Sequence, residues 1–486
     1  VSRGPNTRLA DLFRLAGWSK GELARLVNRQ AAAQGFPQLA TDTSRVRRWI
    51  DTGETPRDPV PDVLATLFTE RLGRVVTIED LGLRRPGSAG KRLSLHGLPW
   101  TPWRTAAVLT EFTGMDLMLN RRGMVGAGAA LAAGSALSDA MHDWLKGSPN
   151  EQPPHGALDS SDEPGLDRYD AAPVGSQEIE ALERSVEVFR AWDAARGGGL
   201  QRKAVVGQLN EVGGLLAYHQ HPEHLRRRLW GVAANLAVLA GWMSHDVGME
   251  PTAQKYFVIA AHAAREGGDR PRAGEALSRA ARQMVHLGRP DDALDLMRLA
   301  NSGMGEEALP RTRAMLCTIE AWAQASMGHG QAMRRTLGEA EEFFVSDRGD
   351  VPPPSWMQLF DEADLYGMQA LAYRTLAEHD PSAARPAEQY AKRALALRDG
   401  ELRRARIFDQ ISLASACFIA DDPEQADRYA RLALASVSEN SSHRTWDRLS
   451  GMYRLTGYYA GYARIEELRE ELSQAMPRTS AAQRAV

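Results

Sequence analysis

Leu9, Leu12, Phe13 and Ala16 recur at i, i+3, i+4 and i+7, which lines one face of a helix that Gly17 ends. Trp18-Ser19-Lys20-Gly21-Glu22-Leu23 follows. Ser19 and Glu22 form the S-x-x-E of a capping box, and Trp18 and Leu23 sit where a hydrophobic staple would. Leu23, Leu26 and Val27 point the second helix inward, with Ala24 small enough for another helix to cross. In TDTSRVRRWIDTGETP (41–56), Thr41 or Asp42 can cap a third helix that buries Val46, Trp49 and Ile50. Gly53 stops it. A fourth helix near Asp62–Leu72 buries Val63, Leu64, Leu67 and Phe68, and the T-x-x-D of TIED (77–80) predicts a last short helix.

From about residue 177 to 476 the helical period is almost continuous, and it repeats on a larger scale. An alanine opens an amphipathic run after a turn signal at Ala253, Ala293, Ala332, Ala387 and Ala426, with spacings of 40, 39, 55 and 39 residues. Each run follows another helical run, beginning with LWGVAANLAVLAGWM. Helix, short turn, helix every ~40 residues is a helical-repeat solenoid, and the turns resemble tetratricopeptide repeats with a stretched period. Tyr256, Tyr390 and Tyr429, three residues beyond their alanines, would fill the space between helices. The 55-residue interval holds DVPPPSW (350–356), a long connection. Segments 177–196 and 200–219, joined by Gly197-Gly198-Gly199, read as lead-in helices.

No run of strand alternation stands out, so the expected fold is all-α in three parts. Residues 6–83 form a helix-turn-helix bundle. Residues 84–176 form a linker with helical segments about 102–119 and 123–144 and a disordered stretch near 147–176. Residues 177–476 form the solenoid. The stretch NRRGMVGAGAALAAGSALSDAM (120–141) looks like a twin-arginine export signal placed internally, but its Ala/Gly richness favours a packed small-residue helix over a membrane span.

Charge sharpens the division. The chain carries a formal −3, yet residues 1–92 hold 16 Lys+Arg against 10 Asp+Glu, so a +6 head sits on a −9 remainder. That asymmetry suits an anion-binding module joined to something else. On the third helix, Thr43, Ser44, Arg45, Arg47 and Arg48 are left over once the apolar face is used. Small hydroxyls followed by arginines are what a recognition helix offers to base edges and phosphates, and Lys20 at the start of helix two is placed to touch the backbone. The segment NRQAAAQGFPQLATD between helices two and three is far longer than a helix-turn-helix turn, so either helix two is extended or the linker loops out. On the first helices of the repeats, Asn235, Trp242, Trp322 and Tyr366 are candidates for a concave ligand or partner face, with core packing as the competing reading.

The pattern WSKGELARLVNR, then TDTSRVRRWIDTGETPRDPVPDVLATLFTERLGRVVTIEDLGL, resembles the N-terminal domain of actinobacterial helix-turn-helix/tetratricopeptide regulators, and the likeness runs on through the Ala/Gly stretch and the repeats. The resemblance implies a cytoplasmic DNA-binding repressor of aerial development, sporulation and antibiotic biosynthesis. Paired heads would add affinity, so a homodimer is expected, with a protein or peptide partner on the solenoid and no membrane. The alternative is an interaction scaffold that works through protein partners without touching DNA. Two distant cysteines, Cys317 and Cys417, fit a reducing compartment and no structural metal. No P-loop, HExxH, GxSxG or zinc spacing occurs, so no enzyme, catalytic residue or cofactor is expected. His219, His221 and His224 in HQHPEH read as a polar turn rather than a metal site.

Overall fold

A computed structural model describes residues 4–83, 101–118, 131–134 with Leu137 and Met141, and 174–476, apart from short breaks at 34–35, 37, 58, 73–75, 77, 79, 198–200, 359, 399–402 and 438–442. The expected helix at 123–144 falls mostly outside the described residues, as do most of the twin-arginine-like stretch and nearly all of the expected disordered stretch. The fold is all-α, with no strand among the described residues.

The head holds α1 (Thr7–Ala16), α2 (Lys20–Ala33), α3 (Thr43–Asp51) and α4 (Val60–Leu72) around one core. Its local signals are used as chemistry dictates. Asn6 caps α1 by accepting from Leu9 N–H at 3.1 Å, Ser19 Oγ accepts from Glu22 N–H at 3.1 Å, and Asp42 caps α3 by accepting from Arg45 N–H at 2.8 Å. Asn6 also closes the head end to end: its backbone N–H donates to Ile50 O and its side-chain amide to Leu81 O at 2.8 Å. Where TIED is expected to open a helix, Thr77 and Glu79 lie outside the described residues, Ile78 and residues 80–82 lie in turns, and Leu83 N–H returns to Ile78 O. A T-x-x-D cap needs an apolar run behind it, and here the chain reaches Gly82 at φ 64° instead.

The body begins earlier than periodicity indicates. α5 (Pro102–Met118), expected inside a linker, is a structural helix of the repeat body: Ala106, Leu109 and Phe112 share a core with Val205, Leu209 and Val212. Asp116 on α5 is buried and forks onto Arg202 at 2.6 and 2.7 Å, and Tyr256 donates to it at 2.6 Å. Then come α6 (Ser176–Arg196) and α7 (Arg202–Tyr218), followed by six helix pairs: α8 (Glu223–Asp246) with α9 (Glu250–Glu266), α10 (Arg270–His286) with α11 (Pro290–Met304), α12 (Pro310–Ser326) with α13 (Gly330–Ser346), α14 (Glu362–Leu376) with α15 (Ala384–Leu397), α16 (Arg403–Ile419) with α17 (Pro423–Val437), and α18 (His443–Thr456) with α19 (Ala463–Ala475).

Turns between helices repeat one device. Gly248, Gly268, Gly288 and Gly328 all take φ near +70°, and the next residue's N–H reaches back to the last helical turn. Asp421 occupies the same place at φ 60° without being glycine. The repeat alanines Ala253, Ala293, Ala387 and Ala426 are buried where neighbouring helices cross, whereas Ala332 is only partly buried and Met333 fills that position. Tyr256 is fully buried; Tyr390 and Tyr429 are half-buried. First helices form the inner layer. On α8 every residue from Val232 to Asp246 except Asn235 is buried, the mark of a helix enclosed on all sides.

Two ties join the head and the segment near 131–141 to the body. Arg289 donates to Asp80 of the head at 2.7 Å and to Asp292 at 2.5 Å. Asp292 also accepts Gly134 N–H, while the Gln254 amide pairs with both backbone groups of Ala132.

Candidate functional site

The first candidate surface is α3. Val46, Trp49 and Ile50 are 0%, 3% and 6% exposed, so the helix is fixed by one face and its opposite face is free. Thr43, Ser44, Arg45, Arg47 and Arg48 are all exposed. Helix two runs on to Ala33, absorbing part of the long lead-in, and the Asn28 side chain clamps the rest: its amide donates to Thr41 O at 2.8 Å and accepts Thr41 N–H at 2.6 Å. That clamp sets the start of α3 against α2.

The cations on this face are occupied locally. Lys20 pairs with Asp51 at 3.0 Å, Arg47 reaches the same carboxylate at 3.3 Å, Arg48 pairs with Glu54 at 3.2 Å, and Arg45 donates to Ala40 O at 3.0 Å. Lys20 thus faces Asp51 first, and its hydrogen bond holds the Asp51 carboxyl below the ordinary range. Exposed pairs of this kind are weak and screened by salt, so a phosphate can displace them.

The second candidate is a cavity of about 200 Å³ inside the body, where the first helices converge. Its wall contains six arginines (Arg190, Arg279, Arg282, Arg398, Arg404 and Arg444) and two carboxylates (Asp193 and Asp364). Repeats from opposite ends of the solenoid meet across it. Arg404 on α16 bonds Asp193 on α6 at 3.3 Å and Asp246 on α8 at 3.1 Å, and Arg444 on α18 forks onto Asp246. Arg398 bonds Asp364 at 2.9 Å and Asp409 at 2.8 Å. Although burial opposes its ionisation, the Arg444 and Arg404 guanidiniums hold Asp246 down at about 2. Burial instead raises Asp409 to about 6.

Trp242 sits at the centre. Guanidinium carbons of Arg444, Arg282 and Arg279 lie 4.1, 5.0 and 5.1 Å from its ring, each cation–π contact worth roughly 0.5–2 kcal/mol. Arg279 also reaches Glu275 at 3.3 Å, and Arg190 donates to Asn235 at 2.9 Å. Arg282 makes no hydrogen bond or ion pair among the described residues; burial and the neighbouring Arg279, Arg444 and Arg448 push its pKa well below the ordinary range. Arg448 stacks on Phe408 at 4.3 Å and is pushed by burial and by Arg444 to about 9. The long connection between α13 and α14 covers this space with Trp356 and Phe360. Trp356 is 3% exposed and its indole N–H has no acceptor.

Of the four groove residues read from sequence, Trp242 lines the cavity and Asn235 holds one of its arginines. Trp322 packs against His286 at 4.9 Å instead, and Tyr366 donates to Glu362; neither lines the cavity. The arginines themselves were missed. Arg279 and Arg282 stand at i, i+3 on α10, which also carries Arg270, Arg272, Glu275, Gln283 and His286, so no local signal sets them apart. In the HQHPEH turn, His221 meets Leu215 O at 3.1 Å, the His219 ring lies tilted 6.2 Å from the His221 ring, and no group of three metal-ligating side chains occurs among the described residues. Cys317 and Cys417 are buried free thiols, each pushed to about 12, chiefly by burial.

These features define an all-α helical-repeat protein with a compact four-helix head and an arginine-lined interior. In comparisons with known proteins, residues 9–84, which are the head, match the family model of the SP15 N-terminal domain. No curated protein and no solved structure matches. Among the described residues no helix is long and apolar enough to cross a membrane.

Proposed function

We propose that the chain is a DNA-binding transcriptional regulator whose head reads DNA with α3. The observation that carries the reading is the division of that helix: three buried apolar anchors, and two small hydroxyls with three arginines on the exposed side. A helix so anchored offers Arg45, Arg47 and Arg48 to guanine edges or phosphates, and Thr43 and Ser44 allow close approach. The +6 head supplies the sequence-independent attraction. The resemblance to actinobacterial regulators such as NsdA of Streptomyces supports a cytoplasmic repressor of sporulation and antibiotic biosynthesis, and the few base pairs that one head can contact favour a dimer.

Fluorescence anisotropy of the full chain with duplex DNA over a salt series tests this. Binding should weaken steeply with salt. Arg45→Ala with Arg48→Ala should reduce both affinity and the salt slope, the slope by about 0.9 for each phosphate no longer neutralised. DNA binding that is absent, or unchanged in the double variant, refutes the reading and leaves the protein-scaffold alternative.

A further inference from the structure

We propose that the central cavity of the body is a binding site for a small phosphate-bearing anion, seated between Arg282 and the Trp356 indole N–H. Three independent features of the cavity converge on this.

The first is unbalanced charge. Asp193, Asp246, Asp364 and Asp409 are spent on Arg398, Arg404 and Arg444, and Glu275 on Arg279, whereas Arg282 makes no ion pair among the described residues and feels Asp364, which Arg398 already bonds, only through its field. Arginine does not shed its proton in a protein, so an unpaired guanidinium in a desolvated wall is relieved by acquiring an anion. The second is the sign of the unmet hydrogen bonds. Among the residues that line the cavity, the Arg282 Nε–H, the Arg190 Nε–H and the Trp356 Nε1–H are buried donors without acceptors, against one unmet acceptor, Asp193 Oδ1; Glu275 Oε2, behind Arg279, is unmet as well but lies outside the lining. A ligand that answers them must be rich in acceptors, and the planar guanidinium fork matches phosphate oxygens. The third is size. The space is about 200 Å³, and ion pairs between α6 and α16 and between α8 and α18 draw the ends of the solenoid together across it. That favours a compact ligand over a threaded peptide. Trp242 has its ring taken up by three guanidiniums, so the ligand is recognised by charge rather than by stacking.

The test is isothermal titration of the full chain with pyrophosphate, with AMP and with citrate, each against sodium chloride of equal ionic strength. One saturable site per chain for pyrophosphate or AMP is expected; preference for AMP identifies a phosphate ester, and preference for pyrophosphate an inorganic anion. Arg282→Met should weaken binding at least about tenfold. It should also leave the unliganded melting temperature equal or higher, because it removes a buried unpaired charge, which loss of a merely structural arginine would not do. Trp356→Phe keeps the ring, removes the donor and should weaken binding several-fold. Arg45→Ala with Arg48→Ala should leave this binding unchanged, so failure here is separable from failure of DNA binding. No saturable phosphate binding by the wild type, citrate binding alone, or binding that survives both cavity variants overturns the proposal.

Discussion

Arg45, Arg47 and Arg48 on α3 and Arg279, Arg282 and Arg444 around Trp242 are the same side chain in opposite surroundings. In the head the guanidiniums stand in water, with Arg47 at 74% and Arg48 at 53% side-chain exposure, and each carboxylate partner is similarly wet. In the body, Arg444 is 5% exposed and its partner Asp246 is 1% exposed. A pair in water is weak, screened by salt and easily exchanged for another anion. A pair out of water is costly to break, because the survivor is stranded. The head's arginines are therefore suited to reversible contact with a polyanion, and the body's to fixing a shape around a small space.

The comparison is broken most forcefully at Asp246. Asp246→Asn strands Arg444 and removes one of the two anchors of Arg404, and should cost about 3–5 kcal/mol in urea denaturation of the body. A cost under about 1 kcal/mol would mean that the closure of the solenoid does not depend on this pair. Acid asks the same question without mutation. The folded Asp246 carboxyl lies at about 2 against 3.8 for the free group. Its contribution is therefore complete above about pH 4 and is lost as pH falls through about 2. Asp246→Asn should flatten that acid limb of the stability profile.

The next effects belong to the head. Asn28→Ala removes both bonds of the clamp on Thr41 and leaves a backbone N–H and C=O to find new partners, at a cost of about 1–3 kcal/mol. The sharper readout is DNA affinity. If the clamp orients α3, binding should fall even at temperatures where far-UV circular dichroism shows the head folded; unchanged affinity would make the clamp a matter of stability alone. Gly82→Ala should follow at about 1–2 kcal/mol, since Gly82 has φ 64° and a Cβ there would lie 2.7 Å from Asn6 Oδ1, the atom that caps α1. A thermal melt of the head that does not shift would count against that closure.

What could be read from the sequence follows the same line between local and distant. The four head helices, the caps at Ser19 and at one of Thr41 or Asp42, and the inward face of Val46, Trp49 and Ile50 depend on residues within a turn of one another; the structure shows the helices and that face, the Ser19 Oγ cap, and Asp42 as the cap of α3. The repeat pairs were equally legible, most plainly where a glycine marks the turn, as at Gly248, Gly288 and Gly328. The cavity was not. Its wall needs α6 to meet α16 and α8 to meet α18, pairings across about two hundred residues that no window contains. The arginines on those helices carry no local mark of burial, and only the return of the solenoid turns them inward. Trp322 shows the converse: an aromatic on a first helix, read as a candidate groove residue, packs against His286. α5 was assigned to a linker because its partner, α7, lies beyond a long intervening segment.

The smallest expected effect separates the two regions most cleanly. Arg47→Ala removes an i,i+4 pair with Asp51 that stands in solvent, and Lys20 stays on the same carboxylate. Folding stability should stay within about 0.5 kcal/mol of the wild type. If α3 contacts DNA as proposed, the same substitution should lower the salt slope of binding by about 0.9, the share of one neutralised phosphate. Stability without change together with a shallower slope is the behaviour of a residue placed for a partner rather than for the fold. A loss of stability beyond about 1 kcal/mol, with the slope unmoved, would assign Arg47 to the bundle and return the weight of recognition to Arg45 and Arg48.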